Sequence, residues 1–272
     1  MATSPSDLSF APVSAVHFVG IGGAGMSAIA KVLLERGVPV SGSDLKASRP
    51  ATLLEAMGAR VHIGHDAAHV SGAGVVVVSS AIPDRNPELR AAREAGIRVV
   101  TRGEALAAVL RETRSIVVAG THGKTTTTSM IVSILRAAGR DPTYLVGGGL
   151  NDAGTNARSG RDDLAVAESD ESDGSFLLLD PSIAVVTNVE PDHVDYWQSE
   201  DALHEAFKRF LAATQSGGAA VVPAAQPDVV AWAEGSARVV TFGDGGDVAA
   251  RDVRFASGEA AFDLDLEGER HP

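Results

Sequence analysis

The stretch Ser115-Ile116-Val117-Val118-Ala119-Gly120-Thr121-His122-Gly123-Lys124-Thr125-Thr126-Thr127-Thr128 decides how the rest of the chain is read. Its β-branched run predicts a short buried strand. A glycine-bounded turn follows, then Lys124 and Thr125, then a helix whose apolar residues recur at Met130, Ile131, Ile134 and Leu135. Strand, glycine-rich loop and helix in that order make a phosphate cradle. Loop N–H groups and the positive end of the helix dipole face an anion, Lys124 adds a point charge, and the Thr125 hydroxyl can ligate Mg2+. The spacing departs from G-x-x-x-x-G-K-[ST], because Val118 stands where the first glycine belongs and Gly120 opens a shorter loop. Consecutive threonines are nevertheless poor residues for a first helical turn if stability is their only purpose. Gly120, Thr121, His122, Gly123, Lys124, Thr125 and Thr126 are therefore the candidate nucleotide-binding residues.

Upstream, Ala15 to Val19 reads as a strand, followed by Gly20-Ile21-Gly22-Gly23-Ala24-Gly25 and an amphipathic helix through Met26, Ile29, Val32 and Leu33. A second strand ends near Asp44, completing a β-α-β unit with a G-x-G-x-x-G turn and an acid about 20 residues on. That geometry seats a diphosphate at a helix N-terminus, and a nucleotide sugar satisfies it as well as NAD does. Alternation continues through strands at 60–63, 75–78 and 98–100 and helices at 50–57, 87–95 and 103–110, a doubly wound α/β domain. Ser80 follows the strand at 75–78, at the end where ligands of open sheets bind. His62, His65 and His69 are expected to decorate a loop, since Gly64 breaks any helix that would gather them into a metal site. Residues 1 to 12 read as a loose tail.

Downstream, a glycine-rich loop at 147–156 is either mobile padding or a substrate-contacting segment. The strand Leu164 to Ala167 ends at Glu168, where an NTPase holds Mg2+ beside its phosphate loop. Asp170, Glu171 and Asp173, which follow, read as a solvated loop. A further strand at 183–187 runs into Asn188-Val189-Glu190-Pro191-Asp192-His193, and His193 is a candidate ligand or polarising group. A helix at 201–213, strands at 219–222 and 238–241, a helix at 228–233 and edge strands at 252–255 and 261–266 complete the pattern.

The totals set the frame. At 272 residues the chain suits two domains of ordinary size, and 44% hydrophobic with 21% charged residues describes a globular protein. A net charge of −12 argues against nonspecific binding to nucleic acid or anionic membrane. With no cysteine there is neither a disulfide framework nor a thiolate metal site. The N-terminal segment lacks the basic-then-apolar pattern of a signal peptide, and no apolar run approaches a bilayer span, so the cytoplasm is the expected location.

With these motifs in hand the sequence resembles the Mur ligases. HFVGIGGAGMSAIA at 17–30, SGSDL at 41–45, GTHGKTTTT at 120–128, AESDESDGSF at 167–176 and TNVEPDHVDYW at 187–197 carry the likeness, in the family's order. The GIGGAGM form of the first loop is the most specific to the alanine-adding member. The resemblance implies a Rossmann-like doubly wound domain at 1–112 that binds the UDP sugar, then a P-loop ATPase-like α/β central domain at 113–272 that binds ATP. The family's third, C-terminal domain is expected to lie outside these residues, and turnover by this chain alone to be negligible. The implied reaction joins the lactyl carboxylate of UDP-N-acetylmuramate to L-alanine through an acyl phosphate, with ATP as co-substrate and Mg2+ as cofactor. By the resemblance, Lys124, Glu168 and His193 are catalytic, and Thr125, Glu168 and His193 hold the metal. Gly20, Gly22, Gly25, Asp44 and Ser80 face the nucleotide sugar, and Asn151 to Asn156 approach its muramyl part. Rival readings are a recycling ligase that attaches a whole peptide, a non-catalytic nucleotide-sugar-binding module, and an NAD-dependent dehydrogenase, which leaves the 120–128 loop unexplained.

Overall fold

The computed structural model describes residues 8–10, 15–147, 156–192, 194–256 and 259–271. Contacts gather Met1–Ser115 with Thr128–Glu168 into one compact unit, and Ile116–Thr127 with Ser169–Pro272 into a second.

The first unit opens with β1 (Val16–Val19), α1 (Ala24–Glu35), β2 (Val40–Asp44), α2 (Arg49–Ala56), β3 (Arg60–Ile63), β4 (Val75–Val78), α3 (Pro87–Glu94), β5 (Arg98–Thr101) and α4 (Arg102–Arg111). Its sheet has the order β3-β2-β1-β4-β5 and every pairing is parallel. The chain leaves β1 toward one edge, returns, and builds the other half, so a crevice opens where the order reverses, beyond the carboxyl ends of β1 and β4. Val16, Phe18, Val19, Val76 and Val77 are fully buried, as central strands covered by helices on both faces require.

Helix starts are written locally. Ser48 caps α2 and Asn86 caps α3, each with proline in the first turn, and Thr101 and Glu104 form a reciprocal capping box on α4. Helix α1 has no side-chain cap at Gly23 and no acid in its first turn.

The chain continues through β6 (Arg114–Ala119), α5 (Lys124–Ala137), β7 (Thr143–Leu145), β8 (Ala157–Arg158) and β9 (Leu164–Glu168). In the first unit β7 pairs with β9 in parallel and with β8 antiparallel. Lys31 on α1 is buried and donates to Ala157 O at 2.6 Å, and Asn156 Nδ2 reaches Ala24 O at 3.3 Å, which ties β8 to α1.

The second unit adds β10 (Ile183–Val186), α6 (Val194–Trp197), α7 (Glu200–Ala212), β11 (Ala219–Pro223), α8 (Pro227–Trp232), β12 (Arg238–Phe242), β13 (Val248–Ala256), β14 (Glu259–Leu266) and β15 (Glu269–His271). Pairing is parallel from β6 through β10, β11, β12 and β13, then antiparallel through β14 to β15. Its core is aromatic: Phe176 lies 5.2 Å from Phe207, 5.4 Å from Phe210 and edge-on to Trp197 at 6.2 Å. Among the described residues no helix is long and apolar enough to cross a membrane.

Four expectations change. Leu8 and Phe10 are buried, and Arg111 donates to Leu8 O at 3.3 Å, so this part of the expected tail packs into the first unit. On α5 the apolar rule fails at Met130 and Ile134, which are exposed, while Thr128 and Val132 face inward. Glu171, read as solvated, has no exposed surface. His65 and His69, read as loop decoration, instead surround a buried acid.

That acid is Glu88 in the first turn of α3. Its Oε2 accepts from Ser43 Oγ at 2.6 Å and His65 Nδ1 at 2.9 Å, and its Oε1 accepts from His69 Nδ1 at 2.7 Å. His17 Nε2 stands at 3.7 Å from Oε1, and His62 stacks on His69 at 4.0 Å. Among the described residues no cluster is arranged to hold a metal ion. Burial alone would raise the Glu88 pKa, but the nearby His17 ring and the donors from Ser43, His69 and His65 outweigh it and hold the carboxyl at about 2, against an ordinary 4.5. A depressed folded-state pKa gives stability that is full above pH 4.5 and is lost as pH falls toward 2. Between pH 5 and pH 3, wild type should therefore lose about 2 kcal/mol more unfolding free energy than Glu88→Gln, measured by urea titration at each pH.

Candidate active site

Two loops, one in each unit, carry the sequence-derived site residues. In the second unit Gly120 leaves β6 with φ +129°, and a Cβ there would stand 2.2 Å from Thr187 Oγ1 and 2.9 Å from Asn188 O. Only glycine fits that backbone and that space. The loop is then laced to the end of β10. Thr121 N donates to Asn188 O at 3.0 Å, and His122 N donates to Asn188 Oδ1 at 3.0 Å. Asn188 Nδ2 and Thr187 Oγ1 return to His122 O at 3.0 and 2.6 Å. Thr121 Oγ1 accepts from Glu190 N at 2.9 Å.

Lys124, the first residue of α5, does not extend into solvent. Its Nζ donates to Gly120 O at 2.7 Å, Thr121 O at 3.2 Å and Glu171 Oε2 at 2.8 Å, with Asp170 Oδ1 at 3.6 Å. The ammonium thus sits at the mouth of the cradle, while Thr125 and Thr126 are exposed beside it. Glu171 is fixed from outside as well, since Trp197 Nε1 donates to its carbonyl at 3.1 Å. Burial pushes the Glu171 carboxyl above the usual range, and the Lys124 ammonium only partly offsets that. For half-buried Asp170 the outcome reverses: desolvation opposes ionisation, but the Ser172 amide and the Lys124 charge together hold it low. Glu171 was invisible to sequence reasoning because ESDES looks hydrophilic throughout; its one signal is position, three residues past the end of a strand.

The second loop, in the first unit, joins β1 to α1. Gly20, with φ +86°, and Ile21 donate to Ser43 O at 2.8 and 2.9 Å, and Gly22 N donates to Asp44 Oδ2 at 2.9 Å. Gly22 has no room for a side chain, because a Cβ would meet Ser48 Oγ at 2.4 Å and Asp44 Oδ2 at 2.8 Å. Over Gly25 lies the side chain of Arg102, whose Nη1 is 3.2 Å from where a Cβ would stand; sequence reasoning missed this cation at the start of α1. The structure thus brings Gly20, Gly22, Gly25 and Asp44 together, with Asn156 at the first turn of α1. Ser80 is exposed just past β4.

Glu168 ends β9 in the first unit, and its Oε1 fills the place of a Gly147 Cβ, 1.9 Å from where one would be. Gly147 thereby leaves space only for that carboxylate. His193 and residues 148–155 lie outside the described residues.

Comparison with known proteins adds a second line. A model described as "Mur ligase family, catalytic domain" matches residues 15–114, and one described as "Mur ligase middle domain" matches residues 118–271. The chain is 48% identical to a UDP-N-acetylmuramate–L-alanine ligase of Arthrobacter sp. (strain FB24), over 93% of this chain and 56% of that protein. Among solved structures it is similar to UDP-N-acetylmuramate:L-alanyl-gamma-D-glutamyl-meso-diaminopimelate ligase from Neisseria meningitides, with TM-score 0.83 and 30% identity, covering 94% of this chain and 85% of that one. It is also similar to UDP-N-acetylmuramate-alanine ligase from Thermotoga maritima, with TM-score 0.82 and 27% identity, covering 95% and 59%. The chain spans about half the length of the curated relatives it matches.

The glycine geometry is testable by itself. Gly120→Ala should lower stability by about 2–4 kcal/mol, because it combines a left-handed backbone with a clash against Thr187, whereas Gly139→Ala, also at positive φ but in open space, should cost only about 1 kcal/mol. Thermal unfolding of the two variants checks the order.

Proposed function

The chain belongs to the Mur ligase family, and on that premise we propose that it carries the nucleotide-sugar and ATP sites of a peptidoglycan-precursor ligase. The reaction joins the lactyl carboxylate of UDP-N-acetylmuramate to the amine of L-alanine, at the expense of ATP, in the cytoplasm. The division of labour is residues 1–112 for the UDP sugar and 113–272 for ATP. The observation that carries the reading is Lys124 Nζ held within 2.7–3.2 Å of its own loop's carbonyls, at the start of a helix, in a loop that only glycine can build.

The chemistry follows from the residues. The diphosphate of the sugar nucleotide lies against Gly20, Gly22 and Gly25 at the uncapped start of α1, where the helix dipole favours negative charge. Asp44, already engaged by the Gly22 amide, orders that loop and offers its remaining lone pairs to a sugar or base hydroxyl or N–H. Ser80 and Asn156 approach the same ligand. ATP lies across Gly120 to Thr126, with Lys124 donating to phosphate oxygens. The substrate carboxylate attacks the γ-phosphorus and ADP leaves; the alanine amine then attacks the resulting acyl phosphate, and phosphate departs as the amine loses its proton. The obstacle is the meeting of two anions, so cationic and N–H groups at Lys124 and the loop supply the catalysis.

Mg2+ fits the donor set, because the Thr125 hydroxyl and the Glu168 carboxylate are the hard oxygens this ion takes. His193 is assigned as a further ligand. When bound, the ion neutralises phosphate charge. Attachment of a peptide in place of alanine is the second reading, carried by the likeness to the Neisseria structure; the higher identity to an alanine ligase favours alanine.

Calorimetry separates the two sites. Wild type should bind UDP-N-acetylmuramate and MgATP. Lys124→Ala should weaken MgATP by about 10- to 100-fold, the worth of a charge-assisted contact, and leave the sugar nucleotide unchanged. Unaltered MgATP affinity in that variant would sink the reading.

A further inference from the structure

We propose that Glu171 is a positioning residue that sets how tightly the loop takes a triphosphate, by competing with the phosphates for the Lys124 ammonium. The proposal rests on the nucleotide reading of the loop and assigns a role to an acid outside the residues named for that reading.

An ammonium offers three N–H donors. On Lys124 they are met by Gly120 O at 2.7 Å, Thr121 O at 3.2 Å and Glu171 Oε2 at 2.8 Å. A phosphate oxygen can be served only if at least one of these contacts is exchanged. The two carbonyls are neutral acceptors, whereas Glu171 meets the ammonium with an opposite charge and is the stronger partner of the three. Asp170 contributes less: it is farther, at 3.6 Å, and its side chain is 48% exposed and screened by water.

The acid cannot follow the lysine. Glu171 is completely buried and its carbonyl is pinned by Trp197 Nε1. The chain on either side is folded back on itself by Ser172 N to Asp170 Oδ1 at 3.2 Å and Tyr196 OH to Asp173 O at 3.0 Å. When nucleotide arrives it is therefore the lysine that turns, leaving a carboxylate behind in a buried place, which costs free energy. The same pairing holds Nζ at the mouth of the cradle, so Glu171 trades affinity for placement.

The test is calorimetric titration of wild type, Glu171→Gln, Glu171→Met, Asp170→Asn, Lys124→Ala and the Lys124→Ala/Glu171→Gln double variant with MgADP and with a non-hydrolysable ATP analogue. Glu171→Gln keeps the shape and an acceptor but removes the charge, and it should bind about 3- to 30-fold tighter than wild type, the difference between a charged and a neutral partner. Glu171→Met should also tighten binding, and Asp170→Asn should stay within about twofold. In the Lys124→Ala background the Glu171→Gln gain should vanish, because the competition acts through that one side chain. A gain in affinity does not arise from a folding defect. Equal or weaker binding by Glu171→Gln, a gain that persists without Lys124, or unfolding of both Glu171 variants would overturn the proposal, the last by making the acid a structural counterion. Absence of nucleotide binding in every protein of the set would instead bring down the nucleotide reading, and this inference with it.

Discussion

The ammonium of Lys124, closed in by two carbonyls of its own loop and by a buried carboxylate, is the interaction around which the second unit's site is arranged. A cation at a helix start opposes the helix dipole, so it is stable there only if negative groups stand close. Glu171 and Asp170 supply them. On the proposed reading, the phosphates of a bound nucleotide take over that part. Both demands meet in one loop, and the lacing of Thr121 and His122 to Asn188 and Glu190 keeps that loop's shape while the lysine's partners change.

The two glycine loops solve a common problem differently. In the 20–25 loop the close neighbours are the side chains of Asp44, Ser48 and Arg102, so glycine there makes room for polar groups that order the turn. In the 120–123 loop the neighbours of Gly120 include main chain of the adjoining strand's end, and the backbone itself must adopt positive φ. At Gly22 and Gly25 a substitution is a matter of crowding, which a flexible side chain can relieve, while Gly20 shares the positive φ of Gly120. In the second loop it is a matter of backbone conformation, which nothing nearby can relieve.

Two carboxylates with no exposed surface, Glu88 and Glu171, have their pKa values moved in opposite directions. Glu88 collects a hydroxyl and several imidazoles, enough donors to keep it ionised to about pH 2. Glu171 depends chiefly on a lysine that has other partners, and burial wins, raising its pKa. The number and permanence of donors, rather than depth, separates a structural acid from one poised to exchange its partner.

The alternation of strands and helices, both glycine loops and the family were all present in the sequence, because each is a short-range pattern: a period, a turn residue or a motif of a few positions. The burial of Leu8 and Phe10, the outward turn of Met130 and Ile134, the gathering of His17, His65 and His69 around Glu88, and the pairing of Glu171 with Lys124 were not. These depend on which strand lies beside which, and they join residues tens of positions apart. ESDES and the scattered histidines look like surface because polarity marks a preference for water, and a complete set of buried partners satisfies the same groups equally well. Sequence alone therefore marked the loop for which an anion is proposed; the tertiary structure decided which charges stand against it, since only the packed sheet brings residues 124 and 171 to 2.8 Å.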